Sequence, residues 1–489
     1  MNFHKNKPDM GGRQGNAGAE GSVEQTAARS SRGSGVMDMT QGKPVQLMLA
    51  FMIPMLIGNV FQQLYSMVDS MIVGRFVGAD ALAAVGATGS LNWMFFSLCN
   101  GLGNGVGIVI SQYFGAGEED KVRKTIGNAC YIIAASALLM GGLGFVFARP
   151  VLALLKTPDD IIDMSAGYMQ IMCVGVIAVA LYNCISAILR GLGDSRTPLY
   201  FLIVASILNV VLDLLFVRVF HWGVAGAGIA TIISQLLSGI GSLLFSLRRN
   251  PLFRLTWEAF HPDRDIIWKA VRIGVPMAAQ SSLIAFSCVI LQSVVNSFGS
   301  TVVAAFTATS RIEQLVQQPY QSLSMSISTF TGQNIGARKE ERVQQGVWKS
   351  FVMMLVFSCA MIPVMQFGGR AIVGLFVEDD AVIALGAHAL RLTSTFYLPI
   401  GVIYVFRGRL NGAGDAAFSL INGVTECAGR ILFPKPLTMI PSVGVWGIWL
   451  GTALTWTLVA AVTYIRFHSG AWKPDRVHRR SAISGQEAC

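Results

Sequence analysis

From Pro44 onward, apolar runs of about 20 residues or more alternate with short polar breaks. A helix needs about 20 predominantly apolar residues to cross the hydrocarbon core of a bilayer. Twelve runs meet that description and are predicted as spans, at roughly 45–74, 82–113, 125–148, 162–189, 197–218, 223–246, 267–297, 302–332, 346–369, 382–407, 416–438 and 443–466. The eleventh is the most interrupted, by Glu426, Arg430, Pro434 and Pro436. Residues 1–40 break the pattern. They are rich in Gly, Ser, Asn, Gln and Ala and lack the apolar stretch of a secretory signal, so they are predicted as a disordered tail, with Met37 available as a second start. The pattern predicts an all-α polytopic membrane protein.

The two halves repeat. Gln112 and Gly115-Ala116 recur 221 residues on as Gln333 and Gly336-Ala337. The same offset relates Ala87-Thr88 to Ala308-Thr309, Gly193-Asp194 to Gly414-Asp415, Gly223-Val224 to Gly444-Val445, and Thr231 to Thr452. Six spans per copy give both copies one orientation, so the copies are parallel repeats about an axis along the membrane normal. This predicts two six-helix lobes: an N-terminal lobe over 41–247, a linker at 248–266, a C-terminal lobe over 267–466 and a tail at 467–489.

Charge fits this layout. Only 13% of the residues are charged, against about 25% in soluble domains. The net charge of +10 would suit nucleic acid, but its distribution does not. With the N-terminus inside, the inner loops hold Lys121, Arg123, Lys124, Arg190, Arg196, the basic cluster from Arg248 to Arg272, Arg338, Lys339, Arg342, Lys349, Arg407 and Arg409, and the inner tail adds Arg466 to Arg480. The outer loops hold Arg75, Arg149, Lys156, Arg218, Arg370 and Lys435. That asymmetry is the positive-inside rule and predicts a multi-pass protein of the cell's inner membrane, both termini cytoplasmic, with no nucleic-acid partner. The eight cysteines are scattered without a Cys-x-x-Cys and read as small core residues.

Two acids stand inside apolar runs, Asp69 and Asp213. A charge at the bilayer centre costs about 2.5–3.5 kcal/mol on insertion scales, so such residues are usually functional or paired. Asn209 and Asp213, four apart, share a helix face. Asp69 lies six residues before Arg75 and Asp213 five before Arg218. At about 1.5 Å per residue both carboxyls sit roughly 8–9 Å below the first outer arginine, and Thr231, eight residues past Gly223, lies about 12 Å in. The four residues can therefore meet in the outer half of the N-terminal lobe, as oxygen ligands for Na⁺ or as a shared-proton site. The second lobe departs from its twin: Asp69 becomes Ile290, Asn209 becomes Arg430 and Asp213 becomes Pro434.

FQQLYSMVDSMIVGRFVGADALAAVG, the Gln112–Gly117 turn, LRGLGDSRTP and LNVVLD together resemble the multidrug and toxic compound extrusion (MATE) family, over about 44–466. The resemblance implies two six-helix lobes around a central cavity. It also implies antiport of cationic or amphipathic organic compounds against H⁺ or Na⁺, with no cofactor and no catalysis. It assigns ion coupling to Asp69, Asn209, Asp213 and Thr231, and a monomer in the lipid bilayer is expected. Phe61, Tyr65, Gln280, Glu426 and Arg430 are the candidate substrate-cavity residues, Glu426 and Arg430 also reading as an i,i+4 ion pair. The acid of the seventh span found in Na⁺-type branches of the family is absent, which tilts the coupling ion towards H⁺.

Other patterns point elsewhere. Asp159-Asp160-x-x-Asp163 is the metal–diphosphate pattern of prenyl-transferring enzymes, but it opens a helix, where the macrodipole favours acids. Gly101–Gly107 lies within an apolar helix and reads as close packing. No G-x-x-x-x-G-K-[ST] occurs, which argues against ATP-driven transport by this chain alone. The alternatives are a lipid-linked oligosaccharide flippase or, in another class, an integral-membrane prenyl transferase.

Overall fold

A computed structural model describes residues 35–154 and 157–470. Among these, every regular element is helical: α1 Pro44–Phe76, α2 Ala79–Gly115, α3 Glu119–Leu154, α4 Asp159–Val174, α5 Val176–Gly191, α6 Arg196–Asp213, α7 Gly223–Arg249, α8 Arg264–Asn296, α9 Ser300–Gly336, α10 Glu340–Gly374, α11 Asp380–Ser394, α12 Tyr397–Gly412, α13 Ala416–Leu432, α14 Pro434–Thr438 and α15 Gly447–His468, with short 3₁₀ and π turns between. The offset of 221 carries α2 onto α9 and α5 onto α12 without a residue of slip, and α4 onto α11 but for one residue at its end. The turns repeat as well: Gly78 and Gly299, Gly193 and Gly414, and Gly223 and Gly444 all have positive φ.

Three predicted spans are not continuous. The fourth is α4 and α5, bent by 49° at Gly175, where Ile232 of α7 packs so closely that a side chain would not fit. The tenth is α11 and α12, bent by 54°. The eleventh helix stops at Leu432, because Pro434 cannot continue it, and resumes as the short α14. Among the described residues, eight helices are long and apolar enough to cross a membrane, and each bent pair passes as one more span. The remaining two of the twelve spans are α9, which is rich in Gln and Ser, and α13, which is only 17 residues long. Outward faces carry exposed Leu138, Val146, Ile207 and Ile465, as a lipid-facing surface requires.

Each lobe has its own apolar core, but the first helix of each repeat crosses between them. Met48 and Phe51, in the first half of α1, pack in the core of the second lobe with Tyr320, Phe330 and Val347. Ile72 and Val73, near its other end, pack in the first lobe with Val217 and Val224. The counterpart helix does the reverse: Ala270 and Ile273 of α8 lie in a first-lobe core with Val106, Val109 and Ile188. The chain passes from one repeat to the next at the predicted linker, while core packing crosses it.

This exchange closes one end of the molecule. There α2 and α8 meet at glycines: a Cβ on Gly101 would stand 2.6 Å from the Ala278 backbone nitrogen, and one on Gly105 would collide with Ala270 O. Gly107, on the opposite face of α2, is as tight against Ala187 of α5. The glycine-rich run is thus a packing device, as its apolar setting suggested. Gln112 Nε2 donates to Gly412 O at 3.2 Å across the same seam.

Residues 35–40 were expected to belong to a disordered tail, and the structure corrects this. Met39 is fully buried. Its N–H donates to Gln333 Oε1 at 2.8 Å, while its carbonyl accepts from Asn334 Nδ2 at 3.1 Å and Arg342 Nη2 at 3.2 Å. Two apolar methionines and partners for the backbone polar groups fix a segment whose composition gave no sign of order. Residues 1–34 and the tail beyond 470 lie outside the described residues.

Candidate functional site

The first lobe holds a small pocket lined by Tyr65, Asn209, Thr231 and Gln235, among others. Three helices build it, Tyr65 coming from α1, Asn209 from α6 and Thr231 and Gln235 from α7, with Asp69 of α1 and Asp213 of α6 one helical turn further along outside its lining. Asn209 Nδ2 donates to Thr231 Oγ1 at 3.4 Å, and the Thr231 hydroxyl donates to Ala227 O at 3.1 Å. Asp213 is fully buried and Asn209 nearly so. The side chains of Asp69 and Asp213 approach each other between α1 and α6. Asp69 Oδ1, both Asp213 oxygens, Asn209 Oδ1 and Gln235 Oε1 are buried acceptors with no donor among the described residues. Such a surplus of acceptors in a low-dielectric setting calls for a cation or proton.

Asp213 is also where α6 changes pitch. The next six residues, Leu214–Val219, form a π-helical turn that buries Phe216 and Val217 against α7. Rare in general, π-helical segments concentrate at functional sites.

Between the lobes lies a cavity of about 880 Å³. Gln63, Trp93, Asn104 and Arg190 reach it from the first repeat, but most of its wall comes from α8, α9, α12, α13 and α15. Along α9, Glu313, Gln314, Gln317, Gln318 and Gln321 form a polar ridge at helical spacing. Facing it is a charged cluster in which Glu426 accepts from Arg430 at 2.8 Å and from Arg407 at 3.4 Å. Arg430 Nη1 also donates to Cys288 Sγ at 2.8 Å, and Tyr404 donates to Gln317 Oε1 at 3.2 Å.

The four residues named for ion coupling therefore come together in one lobe. Of those named for the cavity, Glu426 and Arg430 line it, paired as their spacing suggested. Phe61 is exposed and is not part of the lining, and Tyr65 belongs to the first-lobe pocket. Gln280 is buried against Gly423, because the helices α8 and α13 approach too closely there to leave space for a ligand. Gln235 and the glutamines of the α9 ridge were not anticipated, and Arg190 and Arg407, expected in the inner loops, line the cavity instead. Two of these had a visible sign: Gln235 follows Thr231 by one helical turn, and the ridge repeats every three or four residues within a span. The acids of 159–163 do open α4, and Asp163 pairs with Arg149 at 3.0 Å.

Comparison with known proteins agrees with this architecture. The MatE family model matches residues 54–215 and 276–426. The chain is 29% identical over 440 residues to "Probable multidrug resistance protein YpnP" of Bacillus subtilis (strain 168), covering 89% of this chain and 97% of that one. It is 26% identical over 430 residues to an "FAD transporter" of Shewanella oneidensis, covering 86% and 93%. Among solved structures, an outward-facing MATE-family transporter of the MOP superfamily superposes with a TM-score of 0.80 at 23% identity, over 89% of this chain and 98% of that one. Two six-helix lobes, a polar site within one of them and a cavity between them are thus found in a chain that belongs to the MatE family: it is a membrane transporter and not an enzyme.

Proposed function

We propose that this protein is a secondary antiporter that exports amphipathic organic compounds, cationic ones among them, in exchange for H⁺ or Na⁺. The observation that carries the reading is the cluster of five buried, donor-less oxygens on Asp69, Asn209, Asp213 and Gln235. A proton satisfies the Asp69–Asp213 contact. Na⁺ would use the same carboxylates with the amide oxygens and Thr231. The paired carboxyls favour H⁺, as does the lack of an acid in the seventh span. Binding the ion neutralises the pair and changes how α1 packs on α6 and α7. Because α1 also anchors in the second lobe, that change reaches the seam between the lobes, which rock between open states. The relatives named for multidrug resistance and for FAD transport support a small organic cargo. The end bearing Met39 is the cytoplasmic one, by the positive-inside rule, and the protein works as a monomer. The test is ethidium efflux in vesicles under separately imposed Na⁺ and pH gradients. Efflux driven by either gradient supports antiport, and efflux that ignores both refutes it.

A further inference from the structure

The central cavity carries more fixed positive charge than negative. Arg190, Arg407 and Arg430 line it against Glu313 and Glu426. Glu426 is shared: it accepts from both Arg407 and Arg430, so one carboxylate serves two guanidinium groups. The Nε–H donors of all three arginines are buried without a partner among the described residues. A guanidinium offers five donors in a planar fork that matches a carboxylate, and leaving such donors unmet away from water is unfavourable.

The internal repeat explains how this arose. Arg430 occupies the position that Asn209 holds in the first lobe, and the two acids of that site have become Ile290 and Pro434. Where the first lobe has an acceptor-rich site for an exchangeable cation, the second has a cation built in, with no acid at the matched positions to neutralise it. Trp93, exposed in the same cavity, offers a ring face to an aromatic cargo.

We propose that the cavity holds the carboxylate of an aromatic organic acid or zwitterion against the Arg407–Glu426–Arg430 cluster, where two guanidinium groups share one acid, and that such compounds bind in preference to plain organic cations. This rests on the reading of the chain as an exporter that works through this cavity. It is tested on the purified full chain with two fluorescent probes of one shape and opposite charge, pyrenebutyrate and pyrenebutyl-trimethylammonium, with affinity read by anisotropy. Pyrenebutyrate is expected to bind about tenfold tighter, and Arg407→Gln or Arg430→Gln to weaken it by about tenfold without weakening the ammonium probe. The wild-type preference is decisive by itself, should either variant fail to fold. Equal or tighter binding of the ammonium probe overturns the proposal. So does pyrenebutyrate binding that neither variant changes, or no binding of either probe. Gradient-driven ethidium efflux in the same preparation separates the two readings: if it persists while the charge preference is reversed, the antiporter stands and this assignment alone falls.

Discussion

Gln333 and Gly191 join the two repeats, the Gln333 Nε2 donating to Gly191 O at 3.2 Å while its Oε1 accepts from Met39 at 2.8 Å. One side chain thus ties α9, α5 and the segment ahead of α1 at the closed end of the cavity. Each such hydrogen bond contributes about 0.5–1.5 kcal/mol net. Gln333→Ala is therefore expected to shift the closed seam towards opening by about tenfold. A cysteine placed at Asn411, in a background without the native cysteines, should label faster from the proposed cytoplasmic side in that variant. Unchanged labelling would show that the strap bears no part of the closure.

Gly105 predicts the same shift by a steric route. A side chain there meets Ala270 O of the other lobe. Overpacking of this kind costs roughly 1–3 kcal/mol in the state that contains the contact. A state in which α2 and α8 part would be free of it, so Gly105→Val should trap the transporter open at this end. Efflux should fall at least tenfold with membrane insertion preserved, and the Asn411 cysteine should become accessible.

Asp213→Asn should abolish ion-driven efflux while leaving insertion intact, because the amide cannot complete the carboxyl pair with Asp69. Ile290→Ala, at the position matching Asp69, should retain efflux. Vesicle transport of ethidium reads both. Comparable loss in the two variants would mean packing, not ion coupling.

Gln235 adds an acceptor oxygen one helical turn from Thr231. If the site takes Na⁺, Gln235→Leu removes a ligand and should raise the Na⁺ concentration for half-maximal efflux by about tenfold, within the range for one charge-assisted contact. If it takes H⁺ alone, a pH gradient should drive efflux without Na⁺, and the variant should shift the pH profile without a Na⁺ effect.

Orientation is checked by cysteine accessibility at Lys121, Arg264 and Arg370. The first two should label from inside and the third from outside. Mixed accessibility around the 248–266 linker would contradict two parallel lobes.

Much of this protein was legible in one dimension. Span length follows from bilayer thickness, so the apolar runs alone located the helices to within about six residues, without the breaks in the fourth, tenth and eleventh. The offset of 221 predicted equivalent helices, and α2 and α9 match without slip. Asp69, Asn209, Asp213 and Thr231 were recognisable because a polar group in lipid is expensive enough to mark itself. Depth along three helices was sufficient to bring them to one level. What only the tertiary structure decided depends on which helix faces touch. The crossing of α1 and α8 between lobes cannot be read from hydropathy, because lipid-facing and lobe-facing leucines are equally apolar. The order of Met37–Met39 is conferred by Gln333, Asn334 and Arg342, some 300 residues away. The cavity's charge was equally hidden: Arg407 and Arg430 lie on different helices, and only their convergence on one carboxylate makes the site cationic.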